Sequence, residues 1–345
     1  MRFEDTGLTV GRLPSGRLRR ISDVPGVTVG HFTLSTGRHE TGVTVVLPCA
    51  DDPYENKLPC AQTVLNGFGK SLGLMQIEEL GQLETPIALT NTLNVGKVHD
   101  GLVSWAVENA RERGERIRTL NPVVLECNDA SLNDIEERVL GEKEVFSAIG
   151  NARAEFATGA VGAGRGMTCH GLKGGIGSAS RLIEADGRTY TVGVLALTNH
   201  GRLHDLRIDG SPVGERLEKI LSEGLPDKGS CVMVLATDLP ATDRQLRRVL
   251  RRLPVGLIRL GSFVGHGSGE VFVGFSTANR IPREDDGLVQ PCQRLNEDEM
   301  DLVFRAAAEC AEEAVLDSLF SAETVTGFEG RTRRALNELW NMHHE

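Results

Sequence analysis

Aromatic residues are scarce in this chain, 4% of 345 positions, while glycine is abundant at 40. A core of this composition is assembled from Val, Leu, Ile and Ala, with many tight turns and close backbone approaches. The seven cysteines are odd in number, scattered, and nowhere arranged as C-x-x-C. That argues against a disulfide framework and for reduced thiols in a cytoplasmic protein. No His, Cys or carboxylate group has the spacing of a zinc site, so neither a metal nor another cofactor is expected. The N-terminus MRFEDTGLTVGRLPSGRLRR lacks the apolar stretch of a signal peptide, and no run approaches the length of a membrane span. Excess positive charge is missing too. A net charge of −10 argues against nucleic-acid binding, and the Arg-rich stretch 244–252 reads as the solvated face of a helix. The glycine-rich stretch 159–180 contains no G-x-x-x-x-G-K-S/T, and G-x-S-x-G occurs nowhere. A phosphate cradle and a nucleophile elbow are thereby set aside.

What is present centres on residues 226–236. The breaker-rich loop Pro226-Asp227-Lys228-Gly229-Ser230 runs straight into the apolar stretch Cys231–Ala236, bounded by Thr237-Asp238. This predicts a loop feeding a buried strand whose first residue is a serine. Gly-Ser before a strand is ordinary turn chemistry. Cleavage of the Gly229–Ser230 bond, however, would give Ser230 both a nucleophilic hydroxyl and a free α-amine, whose pKa of roughly 7.7–8.0 suits a general base. Gly261-Ser262 is a rival cleavage point but lacks an uninterrupted apolar strand after it.

Along the chain, residues 1–20 read as an extended arm or mobile leader and residues 21–345 as one domain without repeats or linkers. Strands are predicted within 21–31, 42–48, 87–90, 122–129, 190–197, 230–236 and 265–277. Residues 51–70 look loop-like, and helices are predicted over 95–110, 144–154, 243–253 and 299–322. Strands and helices in both halves, without strict alternation, point to an α+β fold. Several strands end in polar residues. Asn91-Thr92 reads either as a pocket wall or as helix capping, and Asn199 as a turn former or an amide donor. Lys173 is a candidate electrostatic neighbour of Ser230, and His170 reads more readily as structural than as catalytic. Ser268 and Glu270 alternate at a strand start, so their side chains share one face.

The runs GSCVMVLATDLPATDRQLRR, TNHGRLHDLRIDGSPVGE and HGSGEVFVGFSTANR, with the opening DVPGVTVGH, resemble the DmpA/BapA-type aminopeptidases of peptidase family S58. These are serine hydrolases related to the N-terminal-nucleophile enzymes, and the resemblance spans about Gly26 to Gly330. It implies a four-layer α/β/β/α sandwich and autocleavage into 1–229 and 230–345, with Ser230 as nucleophile. Asn199 then serves as an oxyanion donor, while Ser268 and Glu270 handle the amine's proton. Asn91 and Thr92 fall in the stretch lining the active-site region. The implied substrates are short peptides, amino-acid amides or β-aminoacyl compounds, and the implied assembly is a homo-oligomer, often tetrameric. One position departs from the pattern: Asn128 stands where the family has a tyrosine assisting the oxyanion. Its amide also donates a hydrogen bond, but it is shorter and cannot exchange a phenolic proton. The departure opens a second reading, a catalytically impaired member acting as a binding or scaffold protein.

Overall fold

The computed structural model describes residues 2–221, 229–284 and 287–340. In chain order the strands are β1 Thr28–Ser35, β2 Glu40–Leu47, β3 Asn56–Gly67, β4 Gln82–Leu83, β5 Ile87–Asn91, β6 Val123–Cys127, β7 Thr168–Cys169, β8 Leu172–Lys173, β9 Gly175–Ala185, β10 Arg188–Asn199, β11 Ser230–Thr237, β12 Gly269–Ser276 and β13 Ile281–Pro282. The helices are α1 Leu74–Leu80, α2 Val95–Glu112, α3 Glu142–Gly150, α4 Val213–Leu221, α5 Asp243–Leu250, α6 Leu253–Arg259 and α7 Met300–Phe320.

Two sheets form the centre. One runs β1-β2-β5-β6; the larger runs β13-β3-β12-β11-β10-β9, with β4 beside β3. Their facing surfaces make a shared apolar core, in which Val29, Val46, Leu89 and Leu125 meet Leu195, Leu197, Val232, Val234 and Val273. The outer face of the small sheet is covered by α2 and α3, through Val98, Leu102, Val145 and Ala148. The outer face of the large sheet is covered by α5, α6 and α7, with Leu246, Leu257, Ala307 and Leu319 against Val194, Met233 and Leu235. The layers are therefore α/β/β/α. The inner strand β11 is buried on both faces, which is why it reads as a continuous apolar run. The Asp186-Gly187 pair, both at positive φ, turns β9 into β10 as a two-residue hairpin. Gly177 lets α7 lie directly on β9: a Cβ there would sit 1.8 Å from the Ala314 carbonyl oxygen.

Several expectations change. The 51–70 stretch is not a loop, since β3 occupies 56–67. This strand carries Pro59, is flanked on one side only by the short β4 and β13, and turns Val64 and Leu65 half out to solvent, so it lacks an inner strand's apolar signature. The first strand begins at Thr28 rather than Ile21, because Ile21–Asp23 forms a 3-10 turn ahead of Pro25. The predicted basic helix over 243–253 is two helices, α5 and α6, and not all of its arginines are merely solvated. Arg244 and Arg248 pair with Glu297, and Arg252 lies 3.9 Å over the Phe304 ring. Residues 2–20 form a packed arm. Phe3 and Val10 are buried, Leu182 N–H donates to the Pro14 carbonyl, and the Arg12 and Leu13 amides donate to Glu309. The arm thereby covers the otherwise open edge of β9. Among the described residues no helix is long and apolar enough to cross a membrane.

Candidate active site

The polar strand ends seen in the sequence converge where β10 stops and β11 starts. Antiparallel pairing sets Asn199 opposite Ser230, and parallel pairing sets Cys231 opposite Glu270. Ser230, Asn199, Ser268 and Glu270 thus meet at one end of the large sheet, all buried. The Gly269 amide donates to Ser230 Oγ at 3.0 Å. Ser268 Oγ donates to Glu270 Oε1 in a short contact. Asn66, from β3, holds the loop that delivers this pair, donating from Nδ2 to the Gly265 carbonyl at 3.1 Å and to that of Ser268.

Asn199 is oriented from both sides. Its Oδ1 accepts from the Thr168 amide at 2.8 Å and its Nδ2 donates to the Asn128 carbonyl at 2.9 Å. A carboxamide nitrogen carries two hydrogens, so Nδ2 has a second N–H to give, and the strand register sets its residue opposite Ser230. Asn128 contributes its backbone there, while its side chain closes a local turn, Oδ1 accepting from the Ala130 amide at 3.0 Å.

Gly229 is needed for space: a Cβ on it would sit 1.6 Å from the Asn199 carbonyl oxygen. The loop residues Pro226, Asp227 and Lys228 lie outside the described residues. Gly261-Ser262 lies in the turn after α6, where Ser262 Oγ accepts from the Val264 amide.

Lys173 makes its contacts with the glycine-rich loop. Its ammonium is buried and donates to the carbonyls of Gly164, Met167 and Gly174 at 2.7–2.9 Å, with no hydrogen bond to Ser230. Burial, with the Arg165 charge adding to it, lowers its pKa to about 7. It therefore pins the glycine-rich loop whose Thr168 amide holds Asn199. Asn91 is no pocket wall either. Fully buried, it donates to Thr41 at 2.9 Å and caps the following turn at the Asn94 amide. Thr92, partly exposed, donates to Glu126, which also accepts from the Lys70 amide at 2.8 Å.

Some participants escaped the sequence reading. The Gly269 amide has no side chain to announce it. Buried Asp129 binds Thr41 Oγ1 at 2.6 Å and Asn133 at 3.0 Å; burial raises its pKa to about 6 against those hydrogen bonds. His200, next to Asn199, has its pKa lowered to about 3 by burial and by His170.

The model of peptidase family S58 matches residues 19–333. The chain belongs to that family. A relative, the β-peptidyl aminopeptidase BapA of Sphingosinicella microcystinivorans, is 37% identical, over 97% of this chain and 89% of its own. A solved protein from Pyrococcus horikoshii OT3 superposes with a TM-score of 0.93 at 42% identity, covering 100% of this chain and 98% of its own. The L-aminopeptidase D-Ala-esterase/amidase of Ochrobactrum anthropi, described as a variant of the Ntn-hydrolase fold, superposes with a TM-score of 0.90 at 32% identity, covering 99% of both chains. This S58 member is accordingly a hydrolase, an aminopeptidase on an Ntn-hydrolase-type fold.

Proposed function

We propose that this aminopeptidase is a self-processing enzyme in which Ser230 is the N-terminal nucleophile. The observation that carries the reading is the placement of the Ser230 hydroxyl at the first position of β11. There it sits under the Gly269 amide, opposite Asn199, and one register step from the Ser268–Glu270 pair.

In processing, Ser230 Oγ attacks the Gly229 carbonyl carbon, the C–N bond breaks, and the acyl group passes to oxygen as the α-amine takes a proton. Water then hydrolyses the ester, leaving chains 1–229 and 230–345. Glycine is suited to 229 because any Cβ would strike the end of β10. In turnover the Ser230 amine takes the hydroxyl proton and Oγ attacks the substrate carbonyl. In this reading the second Asn199 side-chain N–H donates to the developing oxyanion, while the Gly269 amide holds Ser230 Oγ. Ser268 and Glu270 orient the amine and tune its basicity.

The substrates in this reading are small peptides or amides with a free N-terminus, and the name of the β-peptidyl aminopeptidase relative favours β-aminoacyl compounds among them. The reduced cysteines fit a cytoplasmic setting. Exposed Phe68, Met75 and Phe263 suit packing between copies in a homo-oligomer, with a tetramer the first size to look for. Intact-mass analysis tests the core of the proposal. Two fragments, the smaller beginning Ser-Cys-Val-Met, are expected from the natural chain and one uncut inactive chain from Ser230→Ala, with turnover down by on the order of 10⁴–10⁶. A Ser230→Ala protein that still cleaves or turns over would sink it.

A further inference from the structure

Next to the site lies a cluster that the reaction does not use. Cys169, His170 and His200 are all buried, and one ligand atom from each lies within 4.8 Å of the others. We infer that these three residues form a binding site for a thiophilic d¹⁰ cation, zinc(II) or copper(I).

The residue types are right for such an ion, one thiolate and two imidazoles. Cys169 Sγ stands 4.0 Å from His200 Nδ1. Metal–ligand bonds of about 2.0–2.3 Å put ligand atoms roughly 3.3–3.8 Å apart, so closing the cluster takes movements of about an ångström or less. The outer contacts also fit. His170 Nδ1 lies 3.0 Å from the Arg202 carbonyl, which can only accept. The proton is thereby fixed on Nδ1 and the lone pair on Nε2, the arrangement typical of a ligating histidine. His200 turns Nδ1 toward Cys169 Sγ, and its Nε2 is buried without a hydrogen-bond partner, so no protein acceptor dictates which ring nitrogen carries the proton and Nδ1 can present its lone pair to the ion.

The backbone is shaped to bring these side chains together. His170 and Gly171 link β7 to β8 with φ of 48° and 72°, two successive left-handed residues. A histidine there carries a backbone strain that a glycine or asparagine would largely avoid. The His170 amide then donates to the His200 carbonyl at 2.6 Å, joining the turn to the end of β10. Binding forms one metal–sulfur and two metal–nitrogen bonds and releases the thiol proton to solvent, with no change of oxidation state. Thr168 and Asn199 directly precede two of the ligands, so the ion would staple Thr168, whose amide orients the Asn199 carboxamide, to Asn199 itself.

The test uses the purified full chain, stripped with a chelator. It is then equilibrated with zinc(II), with copper(I) under anaerobic reducing conditions, or with cobalt(II) as a spectroscopic probe. One tightly held equivalent of zinc or copper(I) per chain is expected, together with a thiolate-to-cobalt charge-transfer band. Zinc retention would mean a fourth ligand from solvent; retention of copper(I) alone would mean a three-coordinate site. Cys169→Ser should abolish the band, and His200→Phe should weaken binding by more than about tenfold. Cys292→Ser, at the exposed cysteine, should change nothing. If either buried variant fails to fold, His170→Asn removes a ligand at a backbone conformation asparagine tolerates. A wild-type chain that holds no stoichiometric metal, or a band that survives Cys169→Ser, would overturn the inference.

Discussion

Two of the buried cations of the molecule, Arg181 and Lys173, are treated differently. On the α7 side of the large sheet, Arg181 reaches Glu309 at 3.1 Å and Glu313 at 2.7 Å, and Arg19 joins Glu313 at 3.0 Å. Burial alone would lower the Arg181 pKa, but Cys310 and the Glu313 carboxylate hold it above its ordinary value. Beside the active site, Lys173 is buried just as deeply, yet its ammonium meets only carbonyl oxygens. The first region is a closed set of charges that fastens the arm and β9 to α7. The second keeps a cation near its neutralisation point under the loop that aims Asn199. Paired charge here serves architecture, and incompletely compensated charge lies next to the chemistry.

The largest effect should come from breaking the closed set. Arg181→Ala leaves two buried carboxylates without their main partner and should cost about 3–5 kcal/mol in urea unfolding, with kcat/KM of the folded protein unchanged. An equal loss of kcat/KM would show that the two regions are not separable. Next is Asn199→Ala, expected to lower kcat/KM by about 10²–10³-fold with little change in stability. Comparison of unfolding midpoints with initial rates decides it.

Third is a pH dependence at Lys173. Its folded pKa of about 7 lies below the ordinary lysine value, so from pH 7 toward 10.5 the unfolded chain holds the extra proton. Stability of the natural chain relative to Lys173→Met should therefore rise across that window and stay level below it. A flat difference between pH 7 and 10 in paired denaturation curves would mean the ammonium is no worse off folded than in water. The smallest effect is expected from Asn128→Tyr. The Asn128 side chain closes its own turn while its carbonyl holds Asn199, and the carbonyl survives the substitution, so kcat/KM should move by less than about tenfold. A larger rise would mean that a phenol at 128 supplies what the asparagine lacks.

How far the site could be read from the sequence follows from where each part keeps its signal. The strand β11 was legible because burial on both faces demands an unbroken apolar run, and Ser230 was legible as its first residue. Ser268 and Glu270 were legible through their alternation, but their meeting with Ser230 depends on the parallel register of β11 and β12. Strand β3 was hidden because a half-exposed strand near an edge tolerates Pro59, Gln62 and Asn66. The Gly269 amide could not be seen at all, since a backbone donor has no residue type. Asn91 and Lys173 were recognised as unusual, but the contacts they make were not legible. Their buried partners, Thr41 and the carbonyls of the glycine-rich loop, are distant in sequence or carry no side-chain signature. The same holds for the histidines, brought together by the β7–β8 turn and the end of β10 rather than by spacing.

The order of the large sheet also has a consequence for what a cut before Ser230 would accomplish. Strands β11 and β12, downstream of the cut, lie between β3 and β10, both upstream of it. The two pieces are interleaved like the fingers of clasped hands, and pulling them apart would mean opening the β3–β12, β10–β11 and β3–β13 ladders at once. Scission here would be a chemical event without a mechanical one: it would free an amine while leaving each fragment unable to depart, or to fold, without the other.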